Sequence, residues 1–149
     1  MYLLDTNHCT GIIANQSTIL RRVAQVGEQN VVTCVTVRGE LIYMAHNSEP
    51  VAENLTRVQS FLADIRVYPI DERTADLYGA LKGAVMQHFG PKERSKRRHV
   101  TMQQLGIGDN DLWIAAVALQ HGLTVVSVDA DFVRLQQVRP FPLESWLAL

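Results

Sequence analysis

The feature that most constrains this chain is an alternation. Short apolar and β-branched runs are separated by longer stretches in which apolar residues return every three or four positions. Tyr2-Leu3-Leu4, ended by Asp5-Thr6-Asn7, reads as a buried strand at the start of the chain. Val31–Val35, Arg66–Ile70 and Thr124–Val128 read as three more strands, and a fifth is expected near Gln137–Phe141. Helical spacing runs through Ile12–Val26, with a break at Asn15-Gln16-Ser17 and Ser17 as N-cap of the second part. It resumes from a cap at Thr36 through Val37, Leu41 and Met44, and again from Pro50 to about Leu62. A further stripe follows Asp71 (Leu77, Leu81, Val85, Phe89), and the last helix, Asp109–His121, is closed by Gly122. Strands that alternate with helices require a parallel sheet covered on both faces, so the expected class is α/β.

With 149 residues, 47% of them apolar, the chain can bury one core, and residues 1–149 read as a single domain. One stretch, at about 90–106, departs from the pattern. After Gly90-Pro91, five of the 14 Lys and Arg residues (Lys92, Arg94, Lys96, Arg97 and Arg98) fall close together. The formal charge of −1 excludes a uniformly basic coat, so attraction for nucleic acid has to be local. This basic insertion is the segment expected to meet a phosphate backbone; a solvated, mobile loop is the plainer reading, and contact with an acidic segment of a partner a second functional one. Cys9 and Cys34 are too few for a disulfide framework or a Cys-rich zinc site, which points to reduced thiols and a cytoplasmic setting. No apolar run reaches the roughly 18 residues of a membrane span, and MYLLDTN lacks the basic start of a signal peptide. Neither GxGxxG nor GxxxxGK[ST] is present, which removes the glycine-rich phosphate cradles.

In a parallel α/β sheet, ligands bind outside the carboxyl ends of the strands. Asp5 directly follows the first strand and Asp129 the fourth. Asp109 and Asp111 open the helix before the fourth strand, and Glu40 lies one turn inside the helix after the second. Each acid has an ordinary reading. Asp5, Asp109, Asp111 and Asp129 are good helix or turn caps, and Glu40 suits a solvated helix face. Gathered at one edge, however, carboxylates repel unless a cation joins them. An all-oxygen set without Cys or paired His suits Mg²⁺ or Mn²⁺ rather than zinc. Among the histidines only His8, beside Asp5-Thr6-Asn7, adjoins these acids closely enough to attract notice.

Four segments carry a resemblance. Leu3-Leu4-Asp5-Thr6-Asn7, Glu40 within Thr36–Leu41, Asp109-Asn110-Asp111-Leu112-Trp113-Ile114-Ala115-Ala116, and Val126-Ser127-Val128-Asp129-Ala130-Asp131-Phe132 resemble the PIN-domain ribonucleases. More narrowly, they resemble the VapC toxins of prokaryotic toxin–antitoxin pairs. The likeness spans almost the whole chain in the same order. It implies a three-layer α/β/α PIN-like fold with a short parallel sheet of about five strands. It also implies a Mg²⁺- or Mn²⁺-dependent endoribonuclease that hydrolyses RNA phosphodiester bonds with metal-activated water. Residue by residue, the four metal-binding catalytic acids carry over to Asp5, Glu40, Asp111 and Asp129. Thr6, Asp109 and Ser127 carry over as auxiliaries. A cognate antitoxin protein and a homodimer are implied as partners, besides the RNA. The basic insertion is longer than a minimal VapC requires, and Ser127 stands where Thr is frequent.

Other classes fit less well. A non-catalytic PIN-type scaffold would have lost acids, yet all four positions are filled. A receiver-like phosphoryl switch needs a Lys after its last strand, and Lys82, Lys92 and Lys96 follow no strand. A dehalogenase-like phosphatase needs DxD where this chain has Asp5-Thr6-Asn7. Trp113 reads as core, whereas Trp146 is open between stacking on RNA and covering the core. The run Leu41-Ile42-Tyr43-Met44 exceeds one core-facing stripe, so part of it suits an antitoxin helix or a second subunit.

Overall fold

The computed structural model describes residues 1–147. Its strands are β1 (Tyr2–Leu4), β2 (Val31–Cys34), β3 (Arg66–Tyr68), β4 (Thr124–Val126) and β5 (Leu143–Glu144). All are parallel, in the order β3-β2-β1-β4-β5. Leu3 lies opposite Val32 on one side and Val125 on the other. These three side chains, with Leu4 and Val126, are fully buried, which is why strands this short hold: both faces are covered.

The helices are α1 (Thr6–Ile13), α2 (Ser17–Val26), α3 (Val35–His46), α4 (Val51–Asp64), α5 (Glu72–Phe89), α6 (Arg94–Arg97), α7 (Asp109–His121) and α8 (Ala130–Val138). The chain steps from β1 to β3 in one direction across the sheet and from β3 through β4 to β5 in the other. Right-handed crossovers therefore place α1–α4 on one face and α5, α7 and α8 on the other, and each group packs on its own members. The result is the expected three-layer α/β/α architecture. Connections reverse between β1 and β4, so the ligand crevice belongs at the carboxyl ends of those two strands.

Several local expectations need correction. The first helix begins at Thr6, not Ile12, because Asp5 caps it by accepting the His8 backbone N–H at 2.8 Å. Gly11 lets α2 lie close, since a Cβ there would sit 2.3 Å from Ile19 Cδ1. Ser17 is the first residue of α2 rather than its cap, and Thr36 lies inside α3, which starts at Val35 straight off β2. Residues 130–138 form α8, capped by Asp129, so the last strand falls at Leu143–Glu144 rather than Gln137–Phe141. It is anchored by Val125 N–H to the Pro142 carbonyl and Ser127 N–H to the Glu144 carbonyl, both at 2.9 Å. The Asp71 cap of α5 is reinforced by Thr74 in a capping box, and Gly122 closes α7 at φ 62°.

Trp113 is only half-buried, and its ring stacks on Tyr78 at 3.7 Å. Trp146 is buried and covers the core, packing against Tyr2 and edge-on against His8. Among the described residues, no helix is long and apolar enough to cross a membrane.

Candidate active site

β1 and β4 end side by side, and the acids just beyond them serve first as caps. Asp5 Oδ1 takes the His8 N–H, and Asp129 Oδ1 takes the Asp131 N–H at 2.9 Å. A cap uses one lone pair of four, so both carboxylates keep acceptor capacity for the cavity they line. That cavity measures about 450 Å³ and is also lined by Thr6, Glu40 and Asp111. The sequence-predicted acids therefore converge from four separate segments.

The two acids of α7 part ways. Its N-cap is Gly108, so Asp109 and Asp111 both sit in the first turn, where the helix end favours negative charge. Asp109 Oδ1 accepts the Tyr78 hydroxyl at 2.6 Å and the Lys82 ammonium at 3.0 Å. Burial alone would raise its pKa, but these hydrogen bonds prevail and hold it below the usual carboxylate range. Asp111 faces the opposite situation. Burial, followed by the carboxylates of Asp129, Asp131, Glu40 and Asp5, pushes it up to about 7. One oxygen each from Asp111, Asp129 and Asp131 lie within 4.8 Å of one another. Asp5 and Glu40 line the same cavity outside that tight group. An all-carboxylate set with one member driven to keep its proton is an arrangement short of positive charge, and its donor chemistry fits a hard divalent cation.

The auxiliaries tie the acids to the framework. Thr6 Oγ1 donates to Glu40 Oε2, and Asn110 Nδ2 donates to Oε1 at 2.7 Å. Ser127 Oγ donates to Asp5 Oδ2 and accepts the Asp129 N–H at 3.0 Å, so one hydroxyl links both strand-end acids. Gly108 N–H donates to Asp131 Oδ2 at 2.8 Å, and a Cβ on Gly108 would lie 2.9 Å from Asp111 Oδ2.

Sequence reasoning missed Asp131 as a member of the acidic group, and Asn110 as a clamp on Glu40. The only signal was their position beside acids already noticed. It also left His8, which is buried against Asp5, without a role.

None of the insertion's basic residues lines the cavity; the ion pairs to acids around it come from Lys82, on Asp109, and Arg134, 3.9 Å from Asp131. Arg97 binds the carbonyls of Pro91 and Lys92 and so builds its own loop, while Lys96 pairs with Glu93 at 3.0 Å. Lys92, Arg94 and Arg98 make no ion pair among the described residues. A second cavity, of about 400 Å³, lies along Met102, Gln103 and Ile107 in the segment that follows these cations. It shares Gly108 and Asp109 with the acidic one.

The family model described as PIN domain matches residues 2–138. Ribonuclease VapC2 of Haemophilus influenzae is 30% identical over 148 residues, 98% of each chain. Ribonuclease VapC5 of Mycobacterium tuberculosis is 30% identical over 108 residues, 70% of this chain and 68% of that one. Among solved structures, a DNA-bound VapBC from Salmonella typhimurium superposes with TM-score 0.79 at 25% identity over 98% of each chain. VapBC2 from Rickettsia felis, bound to a promoter DNA fragment, gives 0.77 at 21% over the same share, a likeness of fold.

Proposed function

Because the chain belongs to the PIN domain family and, within it, to the VapC ribonucleases, we propose that it is a Mg²⁺- or Mn²⁺-dependent endoribonuclease, the toxin of a toxin–antitoxin pair. The observation that carries this reading is the meeting of carboxylates at the carboxyl ends of β1 and β4, with Asp111 raised to about 7. In this reading Asp5, Glu40, Asp111 and Asp129 would hold the cation, with Asp131 beside Asp111 and Asp129. A bound divalent cation supplies positive charge against the scissile phosphate and acidifies a water for attack on phosphorus.

The chain's own groups supply order. Thr6 and Asn110 fix both oxygens of Glu40, and Ser127 fixes Asp5 relative to Asp129, so the carboxylates face the cavity before RNA arrives. We read residues 1–149 as one domain with a basic insertion at about 90–106. Lys92, Arg94 and Arg98 of that insertion are the cations left to attract RNA, and the 400 Å³ cavity extends the acidic one along the segment that follows them. Lys96 and Arg97 shape the loop and add charge to it.

The solved relatives described above are VapBC assemblies, which supports a small antitoxin as the protein partner here. An apolar groove of about 230 Å³ between α1, α3 and α4, lined by Ile13, Leu41, Met44 and Val58, suits its side chains. Tyr43, 68% exposed on α3, suits the same partner or the second subunit of a homodimer.

The test is cleavage of total RNA by the purified chain. Cleavage is expected to stop in EDTA, to return with Mn²⁺, and to be lost in a folded Asp5→Asn variant. Equal cleavage by parent and variant would contradict the assignment.

A further inference from the structure

His8 is fully buried in α1 beneath Asp5, with Nδ1 2.8 Å from Asp5 Oδ1. That contact alone does not assign the proton, because either imidazole nitrogen can donate or accept. The opposite nitrogen decides it. The Trp146 backbone N–H donates to His8 Nε2 at 3.2 Å. A backbone N–H has only a proton to offer, so Nε2 carries the lone pair. The ring is then neutral, the proton sits on Nδ1, and Nδ1–H donates to Asp5. Asp5 Oδ1 thus receives two N–H groups from one residue, the backbone and the side chain of His8, while Oδ2 receives the Ser127 hydroxyl. Three donors, two from α1 and one from the segment just after β4, leave the carboxylate one orientation, at the edge of the cavity.

We propose that His8 is a positioning residue for the Asp5 carboxylate, locked in its Nδ1–H tautomer by the Trp146 backbone. The segment after β5 thereby sets the geometry of the site from behind. This rests on reading that site as a divalent-cation centre. Partners behind a ligand commonly govern its affinity, because a carboxylate already aimed loses less freedom on binding.

The alternative is a histidine that merely fills the core, and the two halves of the ring can be tested apart. His8→Asn keeps an N–H donor near the Nδ1 position and loses the acceptor for Trp146. His8→Gln reaches the Nε2 position, where its carbonyl accepts the Trp146 N–H, and loses the donor to Asp5. A packing role ranks the two variants by thermal stability alone. The positioning role ranks them by Mn²⁺ affinity, measured by electron spin resonance of free Mn²⁺ without RNA. His8→Asn is expected to stay close to the parent, and His8→Gln to weaken by roughly 10–100-fold. Nitrogen-15 NMR of the metal-free parent is expected to show a protonated Nδ1 and a bare Nε2, a readout independent of any variant's folding. An Nε2–H tautomer, or a His8→Gln protein that binds Mn²⁺ as tightly as the parent, would overturn the proposal. A parent that takes up no Mn²⁺ would instead overturn the cation-site reading, and the tautomer would still decide the His8–Asp5 bond.

Discussion

Between pH about 4 and about 7, the folded chain keeps a proton on Asp111 that the unfolded chain has released. The folded state therefore binds more protons across this window, and the contribution of Asp111 to stability falls as pH rises through it. In EDTA, the parent is expected to lose more Tm than Asp111→Asn between about pH 5 and about pH 8. Saturating Mg²⁺ should restore the parent at the upper end, because the cation replaces the proton. Identical pH dependence in parent and variant, followed by thermal melts, would contradict this account of Asp111. The same residue marks how far single positions are legible in a sequence. Asp5, Glu40, Asp111 and Asp129 stand out because each is an acid beside a strand end or in the first turns of a helix. Asp131 looks like part of a turn, and its proximity to Asp111 follows from how α7 and α8 meet, a distance that no spacing along the chain encodes.

At the scale of elements, α7 connects the core to the site. Its first turn delivers Asp109, Asn110 and Asp111, while Leu112, Ile114, Ala115, Ala116 and Val117 are buried behind them. Leu112→Ala removes a fully buried side chain and is expected to cost about 2–5 kcal/mol. Denaturant unfolding reads that loss directly, and a change under about 0.5 kcal/mol would show that α7 is not packed as described. This helix was legible because Gly122 ends it and its apolar run is continuous. The first helix was not. Thr6-Asn7-His8-Cys9-Thr10-Gly11 is poor in helix formers, and α1 depends on the Asp5 cap and on Gly11 admitting α2. The fifth strand was misplaced because it is two residues long and follows Pro140 and Pro142, so α8 filled the stretch expected to hold it.

Across the whole molecule, local ion pairs coexist with two concentrations of charge. Acids gather at the crevice, and five of the 14 basic residues fall in one segment between α5 and α7. With Arg97 and Lys96 occupied by their own loop, the proposed RNA contact falls to Lys92, Arg94 and Arg98. Replacing these three with Gln should lower the slope of log affinity against log salt by about 2, at ~0.7 per phosphate of single-stranded RNA. An unchanged slope would assign the segment to another contact. The fold class, the sheet and the edge carrying the site all follow from the alternation of short apolar runs and helices. The reversal of direction between β1 and β4, which brings Asp5 and Asp129 together, becomes visible only in three dimensions. The most direct test of the central claim, that these remote carboxylates share one divalent cation, is calorimetric titration of Mn²⁺ into the full chain and into Asp111→Asn. Saturable binding by the parent, weakened about tenfold or more in the variant, is the expected result, whereas no uptake, or equal affinity in both, would contradict the claim.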